Sequence, residues 1–378
     1  MDLNNLINKI GIKQKEENKA LDRYLENSIE NSNKKKEKLE NLENLLSRFS
    51  KIVNNRTSTG LWGENETENE TENYYNLIYK SINDFDFDIK NLNILDKKDL
   101  PVYDVIKDDY STNKKFGLFL SALINKNIKN GEEIQLNLPI PVNYLFYKLE
   151  NAKAHVNIAG DYLGDRAKNS KISTNLAEDY AGENIEGCEL HVKKTGEYLG
   201  YGAKDSKIYA EEAGEFAGLD IEECELHVGI ASKSLGYRAK DSKIYAEAAG
   251  DSAGRYMNNC ELHVKKSYNS LGKDAKNSKI YAEEAGMYAG EDIEGCELHV
   301  KKADYILGIR AENSKIYAEE AGNSAGSSMK DSELYIYKLE GKLDESCLTG
   351  NNKVYLGKES YEKFPEYRSK VKIWKEKT

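Results

Sequence analysis

Several features are missing from this sequence of 378 residues. It has no apolar stretch long enough to cross a membrane, and its net charge of -10 leaves no basic surplus to attract nucleic acid. No export signal is recognised, and the five cysteines show no close pairing in sequence. This favours a reducing compartment over a disulfide framework. We therefore expect a cytoplasmic acidic protein without nucleic-acid or membrane partners.

The few cysteines and histidines are concentrated in a repeated string. CELHV begins at Cys188 and recurs three times at intervals of 36 residues, and SKI begins at Ser170 and recurs four times at the same interval. The two strings are offset by 18 residues, so they are alternating versions of one 18-residue unit. A short period without insertions is typical of a solenoid.

The 18-residue unit is too short for two packed helices, and about five of its residues have strand character. It therefore predicts a mainly β fold, a parallel β-helix with one unit per coil. Residues 18 apart in sequence would then stack about 4.8 Å apart in columns along the axis. Alternate residues of each strand point in opposite directions, so the columns are inward or outward.

One outward column alternates in charge at every step, which predicts a ladder of ion pairs that fixes the register of the coils. Its members are Lys171, Glu189, Lys207, Glu225, Lys243, Glu261, Lys279, Glu297, Lys315 and Glu333.

The other outward column contains all five histidines, beginning with His155, and continues to Tyr335. Successive histidines would lie about 9–10 Å apart, too far to share a zinc ion, and the cysteines point to the opposite face. We therefore expect no metal and no cofactor, but a stacked aromatic surface that is a candidate for interaction. Its members are His191, Tyr209, His227, Tyr245, His263, Tyr281, His299 and Tyr317.

Inward columns alternate in size. Leu199 is followed one coil later by Ala217, whereas four residues further on Ala203 is followed by Ile221. Large and small residues therefore alternate in opposite phase, as a close-packed interior of constant cross-section requires. The cysteines belong to this packing as small apolar residues.

A glycine column without exceptions indicates a corner with positive φ or no room for a Cβ atom. Its members are Gly164, Gly182, Gly200, Gly218, Gly236, Gly254, Gly272, Gly290, Gly308 and Gly326. A second column, four residues earlier, is glycine in only some coils. Ten stacked copies favour this structural role over a phosphate-binding loop, which would need one loop leading into a helix.

The segments AGDYLGDRAKNSKI (159–172), TGEYLGYGAKDSKI (195–208) and AGMYAGEDIEGCEL (285–298) carry a resemblance to a known family. They resemble the glycine-rich repeat in the C-terminal domain of the large chain of glutamate synthase, a repeat that is also found in formylmethanofuran dehydrogenase. The resemblance spans about residues 134–349. It implies a right-handed β-helix that has no catalytic residues of its own and packs against catalytic domains or subunits.

The rest of the chain divides by composition. We expect a helical, coiled-coil-like region at 1–63, an acidic low-complexity linker at 64–75, and a lead-in and N-terminal cap at 76–133. The β-helix is expected at 134–349, followed by a C-terminal strand and cap at 350–378.

Apolar residues near heptad spacing mark the first region, which predicts either a helical pair packed on itself or association in trans, with a partner protein or a second copy. They are Leu39, Leu42, Leu46, Phe49 and Val53. The linker favours association in trans.

Both ends of the β-helix need covers. Helical spacing predicts an N-terminal cap helix bearing Phe116, Leu120, Leu123, Ile124 and Ile128, with a stop at Asn130-Gly131. The predicted C-terminal lid consists of Phe364, Tyr367, Val371, Ile373 and Trp374, after a final strand at 353–356.

Two functions remain open at this stage. The first is a non-catalytic structural or interaction scaffold, an accessory subunit or assembly module for other proteins. The second is a carbohydrate-active β-helix enzyme or glycan-binding protein, which as an enzyme would need two acids at short separation, one of them with a raised pKa. The regular alternation of charge favours the scaffold, and no catalytic residue is assigned.

Overall fold

A computed structural model describes residues 43–52, 68–85, 87–96 and 101–374, with scattered helical residues between 30 and 41. Residues 43–52 form a helical segment. The helices that follow are α1 (Glu68–Ser81), α2 (Pro101–Ile106), α3 (Tyr110–Asn127) and α4 (Lys358–Lys363). Short 3-10 helices lie at Ile89–Asp96, Glu345–Leu348 and Pro365–Tyr367.

Fourteen strands form one sheet in which each strand pairs with the next along the chain, and every pair is parallel. This is a β-solenoid, as the repeat predicts. The strands are β1 (Glu133–Leu136), β2 (Lys153–Ile158), β3 (Lys171–Ala177), β4 (Glu189–Thr195), β5 (Lys207–Ala213), β6 (Glu225–Ala231), β7 (Lys243–Ala249), β8 (Glu261–Ser267), β9 (Lys279–Ala285), β10 (Glu297–Tyr305), β11 (Lys315–Asn323), β12 (Glu333–Leu339), β13 (Lys353–Leu356) and β14 (Lys372–Ile373).

The register changes at the two ends of the solenoid. From β2 to β12 each residue pairs with the residue 18 positions later, as Lys207 does with Glu225. The step is 20 residues where β1 joins β2, at Glu133 and Lys153, and where β12 joins β13, at Glu333 and Lys353. The solenoid therefore continues past the expected boundary at residue 349, through one longer coil.

The uninterrupted glycine column lies at a left-handed corner. All ten glycines have φ between +65° and +78°. A Cβ atom on Gly290 would lie 2.6 Å from Cδ2 of Leu298, a fully buried side chain of the same coil. The looser column has a different cause, because Gly250 has no positive φ but abuts the carbonyl oxygen of Ser232 in the preceding coil.

The interior follows the predicted alternation of sizes. Leu199, Ala203, Ala217 and Ile221 are all fully buried. The cysteines are buried and free, but they do more than fill space. The Sγ atom of Cys188 donates to a backbone carbonyl at 3.3 Å, so the column of alternating Cys and Ser also satisfies backbone groups at the corner.

The predicted cap helix is α3. Phe116, Leu120, Leu123 and Ile124 are fully buried, and the helix ends at Asn127, shortly before the predicted stop. Ile128, the fifth predicted residue, is partly buried against the same core.

The predicted linker is wrong for residues 68–75, because these form the first half of α1. Thr71, Tyr74 and Tyr75 are buried on one face of this helix, while Glu70 lies on its exposed side. This segment of low-complexity composition is therefore an amphipathic helix. Its residue Glu72 forms ion pairs with two basic side chains of the solenoid.

The described part of the first region packs on the same chain rather than projecting as a tethered arm. The ring of Phe49 lies 5.2 Å from that of Phe116 and 5.6 Å from that of Phe119, both in α3. Leu45 and Ile52 are buried with it, and Leu46 is partly buried. Leu39, Leu42 and Val53 lie outside the residues whose side chains the structure describes.

The C-terminal lid is only partly as predicted. Tyr367 and Val371 are buried, and Phe364 is partly buried against the core. Ile373, however, belongs to the edge strand β14 and is 43% exposed. Trp374 lies outside the core, beside the ring of Tyr335 at 5.8 Å.

Candidate binding groove

The predicted His/Tyr surface is a continuous stack of rings, which we call the ring row. Neighbouring ring centroids lie 4.4–5.1 Å apart, with interplanar angles of 4–18°. The spacing follows from the strand separation, because each ring occupies the same outward position of its coil. The ring row comprises His191, Tyr209, His227, Tyr245, His263, Tyr281, His299, Tyr317, Tyr335 and Tyr355.

The structure thus brings all eight candidate residues together and extends them with Tyr335 and Tyr355. The first histidine of the column is separate, because Ser173 interrupts the rings. His155 instead lies 2.9 Å from the hydroxyl of Ser173, through its Nδ1 atom. Near the other end, Trp374 lies against Tyr335 and lines the groove.

A groove with a volume of about 1220 Å³ runs beside the ring row from His155 to Trp374. Its second wall is an outward column two residues after the rings, which we call the wall column. Sequence reasoning missed this column, although its alternating charges in CELHVK and SKIYAE give the signal. The wall column comprises Asn175, Lys193, Glu211, Gly229, Glu247, Lys265, Glu283, Lys301 and Glu319.

The predicted ion-pair ladder on the other side of the ring row is incomplete. Direct contacts join Lys171 to Glu189 at 2.6 Å, Lys207 to Glu225 at 3.7 Å and Glu333 to Lys353 at 2.8 Å. Among the described residues, no carboxylate lies within 4.0 Å of three other lysines of the column. These are Lys243, Lys279 and Lys315.

The glutamates of the ladder turn instead to the histidines of their own strands. The Nε2 atoms of His191, His227, His263 and His299 lie 2.5–2.8 Å from the carboxylate two residues earlier. The hydrogen bond from His227 lowers the pKa of Glu225, and that from His263 lowers the pKa of Glu261. These bonds fix the imidazole orientation and compete with the lysines above and below.

Charges of opposite sign therefore flank the ring in most coils. Where the ring is histidine, the ladder side is acidic and the wall side basic, and where it is tyrosine the two are exchanged. The seven flanking pairs are Glu189 and Lys193, Lys207 and Glu211, Lys243 and Glu247, Glu261 and Lys265, Lys279 and Glu283, Glu297 and Lys301, and Lys315 and Glu319.

A second charged column, at the isolated bridges that precede each strand, lies outside the groove. We call it the bridge column. Its ion pairs include Lys276 with Glu294 at 2.7 Å and Lys330 with Glu312 at 2.6 Å. Lys204 also belongs to it, 3.2 Å from Glu222. This column offers matched controls for substitutions in the groove.

The ring row does not assemble ligands for a metal ion. Each of the four stacked histidines directs Nε2 to a single carboxylate, and tyrosines separate the imidazoles. Within the part of the chain that the structure describes, no group of three or more His, Cys, Asp or Glu side chains has the geometry to hold a metal.

Some acidic side chains near the cap break the regular alternation and have raised pKa values. Asp165 and Glu183 occupy the same position in adjacent coils, near the cap. Desolvation raises the pKa of Asp165 well above its usual range and that of Glu183 to about 7. One oxygen of each has no hydrogen-bond partner, although Asp165 Oδ1 lies 4.0 Å from Arg166 Nε.

Asp165 and Glu183 have the raised pKa that a glycosidase acid requires, but they lie away from the groove. Asp165 is only 5% exposed, and neither it nor Glu183 lines the groove. Glu72 of α1 covers this region, at 2.6 Å from Lys148 and 3.3 Å from Arg166. These two contacts of Glu72 join segments that are distant in sequence, so the repeat pattern does not reveal them.

No family model, curated protein or solved structure matches this chain. In the described residues, no helix combines the length and the apolarity that crossing a lipid bilayer demands.

Proposed function

We propose that this chain is a non-catalytic interaction scaffold, an accessory subunit or assembly module that docks another protein in the groove. The observation that carries this proposal is the unbroken ring row, which runs over ten coils and has charges of opposite sign on its two flanks in seven of them. Such a surface is extended and rigid, and it offers many equivalent contacts rather than one reactive centre.

The orientation of the rings favours a protein over a glycan. The ring faces are stacked on one another, so the row presents edges, hydroxyl groups and charged side chains to the groove. Sugars and nucleobases are held largely by stacking on exposed aromatic faces, which this row does not offer. Tyrosine hydroxyls and paired charges are instead well suited to the polar edge of a protein interface.

The family resemblance of the repeat also supports a scaffold function. In the glutamate synthase and formylmethanofuran dehydrogenase superfamily, the β-helix packs against catalytic domains or subunits. A scaffold role needs no reactive group, and Asp165, whose pKa lies well above its usual range, is buried and lies outside the groove. Recruitment through the N-terminal helices is not part of this proposal, because Phe49 is engaged in cis.

The experiment compares proteins captured by three forms of the full chain from an extract of the cell that produces it. The groove variant is Tyr245→Ala with Tyr281→Ala, and the control is Lys204→Ala with Lys276→Ala in the bridge column. We expect the wild type and the control to retain the same partner, identified by mass, and the groove variant to bind it at least tenfold more weakly. Equal retention by all three forms, or retention by none, would refute the proposal.

A further inference from the structure

We propose that the groove is occupied by a second copy of this chain, with the two solenoids side by side and parallel, related by a two-fold axis along their length. The inference deepens the proposed function, because it names the partner that the same groove receives. Three properties of the ring row and its flanks carry it.

The first property is charge. Rotation by 180° about an axis parallel to the solenoid keeps each coil at its own height and exchanges its two flanks. Glu261 of one copy then faces Lys265 of the other, and Lys279 faces Glu283. The same holds in all seven coils that carry both charges, so an isologous contact of this kind pairs opposite signs throughout.

The second property is shape. The edges of the stacked rings form a ridge, and the groove lies directly beside it. The same rotation places the ridge of each copy in the groove of the other. Because both copies repeat at the same strand spacing of about 4.8 Å, the fit does not drift out of register along the contact.

The third property is the surplus of charge without an intrachain partner. In addition to Lys243, Lys279 and Lys315, the wall-column residues Lys193 and Glu319 have no ion pair within 4.0 Å among the described residues. A solenoid that used its ladders only for its own stability would gain from pairing these groups internally. Their partners in the proposed dimer are supplied by the rotated copy.

The contact is large enough for a specific dimer. The coils from Glu189 to Glu319 span about 34 Å, at roughly 4.8 Å per coil. With a strip that includes both flanks, we expect about 600 Å² buried per copy, or about 1,200 Å² in total, which lies at the lower end of the standard range for protein interfaces.

The test uses two charge-reversed variants of the full chain. Lys265→Glu with Lys301→Glu makes both flanks acidic in two coils, and Glu261→Lys with Glu297→Lys makes both flanks basic. Each variant opposes itself with like charges but complements the other. We expect sedimentation velocity to show a wild-type dimer, at least a tenfold weaker dimer for each variant alone, and a restored dimer when the two are mixed.

Lys276→Glu with Lys330→Glu is the matched control, because it also breaks two intrachain ion pairs but lies in the bridge column. We expect this control to dimerise as the wild type does. Circular dichroism of every variant verifies that the strands remain folded.

The relative direction of the solenoids is tested with introduced cysteines, since all five native cysteines are buried. His191→Cys and His299→Cys should each cross-link to its own counterpart through a short bis-maleimide. Cross-linking only between the two different variants would show antiparallel solenoids and overturn the two-fold axis proposed here.

A wild-type monomer at all concentrations, or mixed variants that fail to pair, would also overturn the dimer. These results are distinguishable from failure of the scaffold proposal. If the chain is monomeric but still captures another protein through Tyr245 and Tyr281, the self-association fails and the scaffold stands.

Discussion

The solenoid and the N-terminal cap solve the same problem of burying apolar surface in different ways. In the solenoid, each core side chain stacks on the equivalent positions of the coils before and after it, as Leu199 does between Ala181 and Ala217. In the cap, contacts join unrelated segments, as between Phe49 and Phe116. Because the solenoid repeats, its structure can be predicted from sequence alone. The cap depends on contacts between specific residues, which produce no periodic pattern in the sequence.

The two regions also differ in how far the effect of a local change spreads. A solenoid coil is held by its two neighbours, so damage to one coil remains largely local. The cap shields the first coils and has no second copy. We therefore expect removal of the helices that cover the first coils to have the largest effect.

Deletion of residues 1–81 should produce the largest effect. It removes the partners of α3, whose residues Phe116 and Phe119 are fully buried, and each newly exposed large apolar side chain costs about 1.5–3 kcal/mol. We expect loss of the cooperative thermal transition, followed by aggregation, as measured by circular dichroism and light scattering. A truncated protein that melts at the wild-type temperature would show instead that these helices are only tethered to the solenoid.

Gly290→Ala should have the next largest effect, within the solenoid. The new Cβ atom meets buried Leu298, and the residue must keep φ at +69°. Overpacking costs about 1–3 kcal/mol and the left-handed conformation about 1–2 kcal/mol, so we expect roughly 2–5 kcal/mol of destabilisation in urea.

Gly131→Ala is the matched control, because Gly131 has φ of +79° but nothing within 4 Å of its Cβ position. This variant should be destabilised only by the cost of the left-handed backbone conformation, about 1–2 kcal/mol. Equal losses at the two glycines would mean that φ alone explains the glycine column, without any lack of space.

The sequence predicted those features whose neighbours are set by the repeat. These include the parallel solenoid, the ring row, the glycine corners and the alternating core. It did not predict the helix at 68–75, because Glu72 finds its partner Lys148 in a segment 76 residues away. It also did not predict that Glu225 turns to His227, since the repeat places lysines and a histidine within reach of the same carboxylate.

Leu199→Ala combined with Ala203→Ile tests how the core columns share space. Both residues are fully buried, and the double variant copies the arrangement of the next coil, at Ala217 and Ile221. Leu199→Ala alone should lower the free energy of unfolding by about 2–5 kcal/mol, because it leaves a cavity. Ala203→Ile alone should lower it by about 1–3 kcal/mol, because it overpacks the core. We expect the double variant to lose at least 1 kcal/mol less than the sum, by chemical denaturation. Simple additivity would show that the two columns do not share space.

The smallest effect is expected at the junction of the cap and the solenoid, where burial raises the pKa of Glu183 from 4.5 to about 7. The native state therefore holds this proton between about pH 4.5 and 7, while the unfolded chain has released it. Stability should fall as pH rises through this window, by on the order of 1–2 kcal/mol after allowance for solvent screening. Asp165 contributes in the same direction, because its pKa is also raised by burial.

Glu183→Gln should therefore raise the stability at pH 8 and flatten its dependence on pH between 5 and 8, as measured by urea denaturation at several pH values. The control in the same coil is Glu186→Gln. Its hydrogen bond with Lys168 lowers the pKa of Glu186, so its contribution is present above pH 4.5 and is lost only as the pH falls below that value. An equal pH dependence in the wild type and Glu183→Gln would show that this carboxyl group is open to solvent in the folded protein rather than desolvated.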